Sequence, residues 1–81
     1  MKLRIMAFGI ARDIFGNSTI EINWSFYQPT VHDLKQWLTE QYPEFGKLAS
    51  FSVAINAHYV EDTTLIEASD EIAIIPPVSG G

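Results

Sequence analysis

Only one stretch of this 81-residue chain carries a sustained helical period, and that constrains its fold more than any other feature. Val31, Leu34, Trp37, Leu38 and Tyr42 recur at helical spacing, while Lys35, Gln36, Thr39, Glu40 and Gln41 fall toward water. Thr30 is a good N-cap, and Asp33 three residues later nearly completes a capping box, with Asp where Glu or Gln is usual. Pro43 ends the helix. An aromatic and aliphatic stripe of this kind reads as core rather than as a binding site. A single helix cannot cover both faces of a sheet, so the other apolar segments must form one sheet with the helix on one side.

Those segments alternate. Lys2 to Phe8 sets Leu3, Ile5 and Ala7 against Lys2, Arg4, Met6 and Phe8, and apolar residues on both faces predict an inner strand. Ala11 to Phe15 suits one helical turn, Gly16 is its left-handed stop, and Asn17-Ser18 is turn chemistry. Thr19 to Trp24 places Ile20, Ile22 and Trp24 on one face, a half-buried antiparallel strand. Phe51 to Asn56 points Phe51, Val53 and Ile55 inward, a turn follows at Asn56-Ala57-His58, and Tyr59-Val60 makes a short strand. Glu61 to Ser69 is irregular, with one expected helical turn and with Leu65 or Ile66 plugging the core. Ser69-Asp70 turns the chain into Glu71–Ile75. The first and last strands are the most apolar, which places them side by side in the centre, parallel because a long crossover joins them. The expectation is one α+β domain over residues 1–81, a mixed sheet with its main helix diagonal on one face: the β-grasp, or ubiquitin-like, arrangement.

Chemistry is sparse along this scaffold. There is no cysteine, hence no disulfide, no thiolate metal site and no cysteine nucleophile. His32 and His58 have no ligand partner at metal spacing, so no metal is expected, and His32 reads as a surface residue. Glu61-Asp62 reads as a solvated turn. The glycines at 9, 16, 46, 80 and 81 form no phosphate loop, and no Ser, His and Asp arrangement suggests a catalytic triad. The formal charge of −5 lies wholly in residues 41–81, where six acids face Lys47. Nucleic acid is therefore not expected as a partner, whereas a basic protein surface would be steered toward that half. No run reaches transmembrane length and no leader precedes a cleavage site, so no membrane partner and a cytoplasmic location are expected.

What remains is the tail. Pro76 has no N–H to donate to a sheet, so the last strand stops near Ile75, and Pro76-Pro77 bias the exit toward an extended path. Pro76 to Gly81 reach about 20 Å at full extension, and Gly80 and Gly81 could enter a channel too narrow for other residues. A frayed terminus and a carboxylate presented for chemistry both fit Gly-Gly; the strand and the proline stop favour the second, because they attach a flexible tip (about 76–81) to a rigid body. A carboxylate ionised at neutral pH is a poor electrophile, and acyl-adenylation by another protein using ATP is the simplest activation.

The string Asp70-Glu71-Ile72-Ala73-Ile74-Ile75-Pro76-Pro77-Val78-Ser79-Gly80-Gly81 resembles the end of the MoaD/ThiS sulfur carriers, in their molybdopterin-synthase branch. Met6 to Asp13 resembles that family's first strand and following turn, and Phe51 to Asn56 its third strand. The resemblance implies that an E1-like enzyme adenylates Gly81, consuming ATP, and that a sulfur donor converts the adenylate to a thiocarboxylate. It implies that Pro76, Pro77, Val78, Ser79 and Gly80 thread into the large subunit of molybdopterin synthase, where sulfur passes to cyclic pyranopterin monophosphate. Two loaded carriers serve each dithiolene, in a heterotetramer of two small and two large subunits, and no cofactor stays bound to the carrier. Phe8, Val60, Ile75 and Val78 are then either core or a docking patch. Ile74 and Ile75 stand where the family often has aromatic residues. A protein modifier joined through Gly81, a thiamine-type sulfur carrier and a non-covalent β-grasp module are the alternatives, the last tolerating loss of Gly80-Gly81.

Overall fold

The computed structural model describes residues 1–25, 27–48 and 51–76. Strands β1 (Lys2–Ala7), β2 (Thr19–Asn23), β3 (Ser52–Ile55), β4 (His58–Tyr59) and β5 (Ile72–Ile75) form one sheet in the order β2-β1-β5-β3-β4. β1 and β5 pair in parallel, Ile5 opposite Ile72 and Ala7 opposite Ile74, while every other pairing is antiparallel. The apolar run Ile72–Ile75 thus takes the middle of the sheet, where it has a neighbour on each side and both faces of the strand are at least partly covered. With helices α1 (Gly9–Phe15) and α2 (Val31–Gln41) added, this is an α+β β-grasp.

Helix α2 starts as its sequence prescribes. The Asp33 N–H donates to Thr30 Oγ1 (3.2 Å) and the Thr30 N–H donates to Asp33 Oδ2 (3.0 Å), so Asp completes the box despite its shorter arm. Val31, Leu34 and Leu38 are fully buried against Leu3, Ile5, Ile72 and Ile74. Lys35, expected in water, is only partly exposed. Its stem lies along the surface while its ammonium donates to Asp62 Oδ1 at 2.8 Å and sits 5.8 Å from the centre of the Phe51 ring.

Pro43 stops the α-helix but not the winding of the chain. Pro43–Lys47 forms a 3-10 helix, which a proline read only as a helix stop does not predict. A proline missing its N–H is well suited to a first helical turn. The turn drives Phe45 into the core at 2% exposure, where its ring lies 5.3 Å from Phe15 and 5.1 Å from Phe51. Phe15 in turn meets Tyr42 edge-on at 4.9 Å, which locks α1 against the end of α2. Helix α1 begins two residues before the predicted turn and ends as expected on Gly16 (φ 77), whose N–H donates to the Arg12 carbonyl at 2.9 Å.

The helical turn expected between Glu61 and Ser69 is absent; two hydrogen-bonded turns stand there instead. The physical reason lies in α2. Its first N–H groups have no intrahelical acceptor, and the segment runs extended beside them to supply carbonyls. Val31 N–H donates to Thr64 O and His32 N–H to Asp62 O, both at 2.9 Å, while Ile66 N–H donates to Pro29 O at 2.8 Å. This path turns Ile66 fully inward and leaves Leu65 55% exposed, which decides between the two candidate plugs.

β3 and β4 are joined by Asn56 (φ 52) and Ala57 (φ 71), the paired left-handed residues of a type I′ hairpin. The strand after it is His58–Tyr59, one residue earlier than predicted. Asparagine tolerates that backbone; alanine adopts it only at a cost in strain. Ala57→Gly is therefore expected to stabilise the domain by about 0.5–1 kcal/mol, after the extra freedom of glycine in the unfolded chain is set against the relieved strain. A thermal melt should show a rise of roughly 2–8 °C.

Candidate functional site

Side chains on a strand point alternately to the two faces of its sheet, so register decides which residues share a surface. Ala7, Ile74 and Val53 lie in one row across the sheet and are buried toward α2. The next row, Met6, Ala73, Ala54 and Tyr59, faces the other way, where no helix among the described residues packs. Phe8 keeps an extended backbone (φ −128, ψ 155) and so continues this alternation beyond β1, beside Ile75 at the end of β5. The uncovered face consequently gathers Met6, Phe8, Tyr59, Ala73 and Ile75 around the point where the chain leaves the sheet. Phe8 is 51% exposed and Tyr59 more so, while Ile75 is half-buried.

Of the residues predicted for partner binding, the structure thus brings Phe8 and Ile75 together and sets Val60 apart. The Val60 N–H donates to Val53 O (3.4 Å), and its half-buried side chain packs against the core cluster on the helix side. Pro76 is half-buried. Gly9 (φ 54) turns the chain from β1 into α1, and a Cβ built there would lie 3.4 Å from Pro76 Cγ, so the Gly9 backbone runs close to the Pro76 ring at the exit. Pro77, Val78, Ser79, Gly80 and Gly81, predicted for tail insertion and chemistry, lie outside the described residues.

The start of β5 is clamped, and this fixes the direction of its end. Asn56 Oδ1 accepts from the Glu71 N–H (3.0 Å), and Asn56 Nδ2 donates to Asp70 Oδ1 (3.1 Å). The Asn56 N–H donates to Glu71 O (2.9 Å), and Asp70 Oδ2 accepts from the Glu67 N–H (2.8 Å). The hairpin tip thereby holds the strand that carries the tail. The sequence singled out Asn56 without assigning it this role; its signal is an amide residue at a turn followed, across the loop, by an acidic turn residue.

Sequence reasoning also missed Arg12 as a neighbour of the exit. With Met6, Phe8, Gly9 and Thr19 it lines a shallow hollow of about 330 Å³ that places a cation next to the apolar face. A larger hollow of about 550 Å³ lies toward the other end of the same face, where Lys2 and Arg4 meet Glu21, Asp70 and Glu71. Its walls carry both charges and stand away from the exit. Among the described residues, no group of three or more His, Asp or Glu is placed to hold a metal ion. Among the described residues, the arrangement offers an apolar face beside a directed exit.

Comparison with known proteins gives the arrangement its relatives. A family model described as the ThiS family matches residues 5–81. The chain is 32% identical over 83 residues to a molybdopterin synthase sulfur carrier subunit of Dictyostelium discoideum, covering 99% of this chain and 96% of that protein. Its fold is similar to that of a putative molybdopterin converting factor, subunit 1, from Pyrococcus furiosus (TM-score 0.84, 22% identity, 96% of this chain and 99% of that one). It is similar as well to a chain in the complex of subunits 1 and 2 of the molybdopterin-converting factor from Helicobacter pylori (TM-score 0.66, 24% identity, all of both chains).

Proposed function

Since the chain belongs to the ThiS family, we propose that it is the sulfur-carrier subunit of a molybdopterin synthase, with the Gly81 carboxylate as its reactive group. The observation that carries this reading is the relatedness to the Dictyostelium carrier along essentially the whole of both chains. The geometry supports it. β5 ends at Ile75 on a clamped sheet, with Pro76 against Gly9 and an apolar face beside the exit.

The chemistry follows from the carboxylate. At neutral pH it is ionised and resists attack by sulfur nucleophiles. An E1-like enzyme would couple it to the α-phosphate of ATP, releasing pyrophosphate, and a sulfur donor would then displace AMP from the acyl carbon. With no cysteine in the chain, the sulfur has no side chain to rest on and stays at the terminus as a thiocarboxylate. The residues from Pro76 to Gly80 would carry it into the large subunit and onto cyclic pyranopterin monophosphate. Two carriers are used for each dithiolene, because each delivers one sulfur. This chain's own contribution is positional: a small folded body, a docking face, and a tip without Cβ atoms.

The large subunit is proposed to cover Phe8 and Ile75, in keeping with the assembly of the similar Helicobacter protein with its subunit 2. Phe8→Asp puts a charge into the middle of that contact while leaving the core untouched. The variant should keep its melting temperature and bind the large subunit roughly 10–30-fold more weakly, by calorimetric titration. Unchanged affinity would move the interface elsewhere. Reconstitution tests the whole reading: thiocarboxylated chain, large subunit and cyclic pyranopterin monophosphate should yield molybdopterin. Covalent ladders on cellular proteins that vanish without Gly81, with no molybdopterin formed, would instead identify a protein modifier.

A further inference from the structure

β1 and β5 are parallel and both end at the tail exit, so antiparallel β2 ends at the opposite pole. There the chain is tied to its own start. The Trp24 N–H donates to Met1 O (2.7 Å), and the Met1 amino group donates to Trp24 O (2.8 Å). Just beyond, Tyr27 stands almost perpendicular to Trp24, with rings at 89° and centroids 6.1 Å apart. Helix α2 faces this corner with Asp33, Gln36, Trp37 and Glu40, spaced i, i+3, i+4 and i+7 and so forming one stripe. Together these six residues line an open hollow of about 250 Å³. Tyr27 is 58% exposed, and the two Trp side chains are half-buried.

Among the described residues, the lining holds three aromatic rings and two carboxylates and not one Lys, Arg or His. Aromatic faces attract cations through their quadrupole, and carboxylates at the rim add direct pairing. An anion would meet Asp33, Glu40 and a chain of net charge −5; a neutral apolar group would leave the carboxylates unused. A planar guanidinium uses both kinds of wall, stacking on a ring while its N–H groups reach carboxylate oxygens. We propose that this hollow is a docking site for an arginine side chain of a basic partner protein. It lies at the pole remote from the exit, so a partner held here leaves the tail free. The site does not depend on the sulfur-carrier reading, since none of its residues belongs to the tail or to the uncovered sheet face.

The test is a titration of the full chain with a short acetylated peptide containing two arginines, followed by ¹H–¹⁵N NMR at the Trp24 and Trp37 indoles and the Tyr27 amide. Shifts should saturate, weaken as salt is raised to about 1 M, where the screening length falls to about 3 Å, and be absent with the citrulline peptide, which has the same shape without the charge. Glu40→Lys and Tyr27→Ala change exposed side chains and should each weaken binding about tenfold with melting temperature unchanged. Removing Gly81 should leave the affinity as it is, which separates failure of this site from failure of the sulfur chemistry. Equal binding of the citrulline peptide, shifts centred on Glu61 to Glu71, or full affinity in both variants would overturn the proposal.

Discussion

Deletion of Gly81 should abolish sulfur transfer completely while the folded domain keeps its melting temperature. The core closes at Ile74, which is fully buried, and the last described residue, Pro76, is already only half-covered. The core of the described residues is therefore built without the final glycine. The chemistry, in contrast, is left with the Gly80 carboxylate, one residue short of the proposed reach into the partner, and the sequence contains no cysteine to hold sulfur instead. Gly81→Ala is the sharper companion. It keeps the full length of the tail but adds a Cβ beside the acyl carbon, in a tip proposed to enter a narrow channel. A displacement of the reacting atom by about 1 Å can cost roughly 100-fold in rate, and a loss of that size is expected in single-turnover transfer. Transfer that survives deletion would mean that sulfur travels on some other group.

The second large effect is on stability. Phe45→Ala should cost about 3–5 kcal/mol, because it removes a whole ring from the cluster of Phe15, Tyr42 and Phe51 and the 3-10 turn cannot collapse into the space. At roughly 0.05–0.15 kcal/mol per residue, a domain of this length has only about 4–12 kcal/mol in total. The variant should thus lose between about a quarter and all of its stability, read from the midpoint of urea unfolding at constant slope. Phe8→Ala is the control: the same chemical change at an exposed site should move the midpoint little. Equal effects at both positions would show that the Phe45 ring is not the keystone of that corner.

The contrast between these two phenylalanines shows what was legible in the sequence. Alternation over Lys2 to Phe8 and Thr19 to Trp24, the Thr30–Asp33 box and the apolar run before Pro76 are local signals, and each appears in the structure, the two strands one residue shorter at their ends. The parallel central pair followed from them by topology alone. Phe45 was not legible, because Pro43 reads equally as the end of one helix and the first residue of the next. The path of 61–69 was hidden for another reason: its hydrogen-bond partners are Pro29, Val31 and His32, thirty residues and more away.

Register explains the rest. The short strand lies at His58–Tyr59, so Tyr59 joins the uncovered face and Val60 packs toward the core; a shift of one residue exchanges the two. The corner of Trp24 and Tyr27 escaped notice because Trp37 sits in a stripe that reads as core, and only the loop after β2 brings a second and third ring to it. The chemistry proposed for the tail rests on a strand, a proline stop and two residues without side chains.

Intact-mass spectrometry of the chain, co-produced with an E1-like activating enzyme and its sulfur donor, separates a sulfur carrier from a bystander without requiring the large subunit. The expected spectrum contains a species heavier by the difference between one sulfur and one oxygen, localised by fragmentation to Gly81 and missing from the Gly81 deletion. A chain that keeps its unmodified mass beside a demonstrably active activating enzyme, or that carries the added sulfur anywhere but its last residue, would contradict the proposed chemistry.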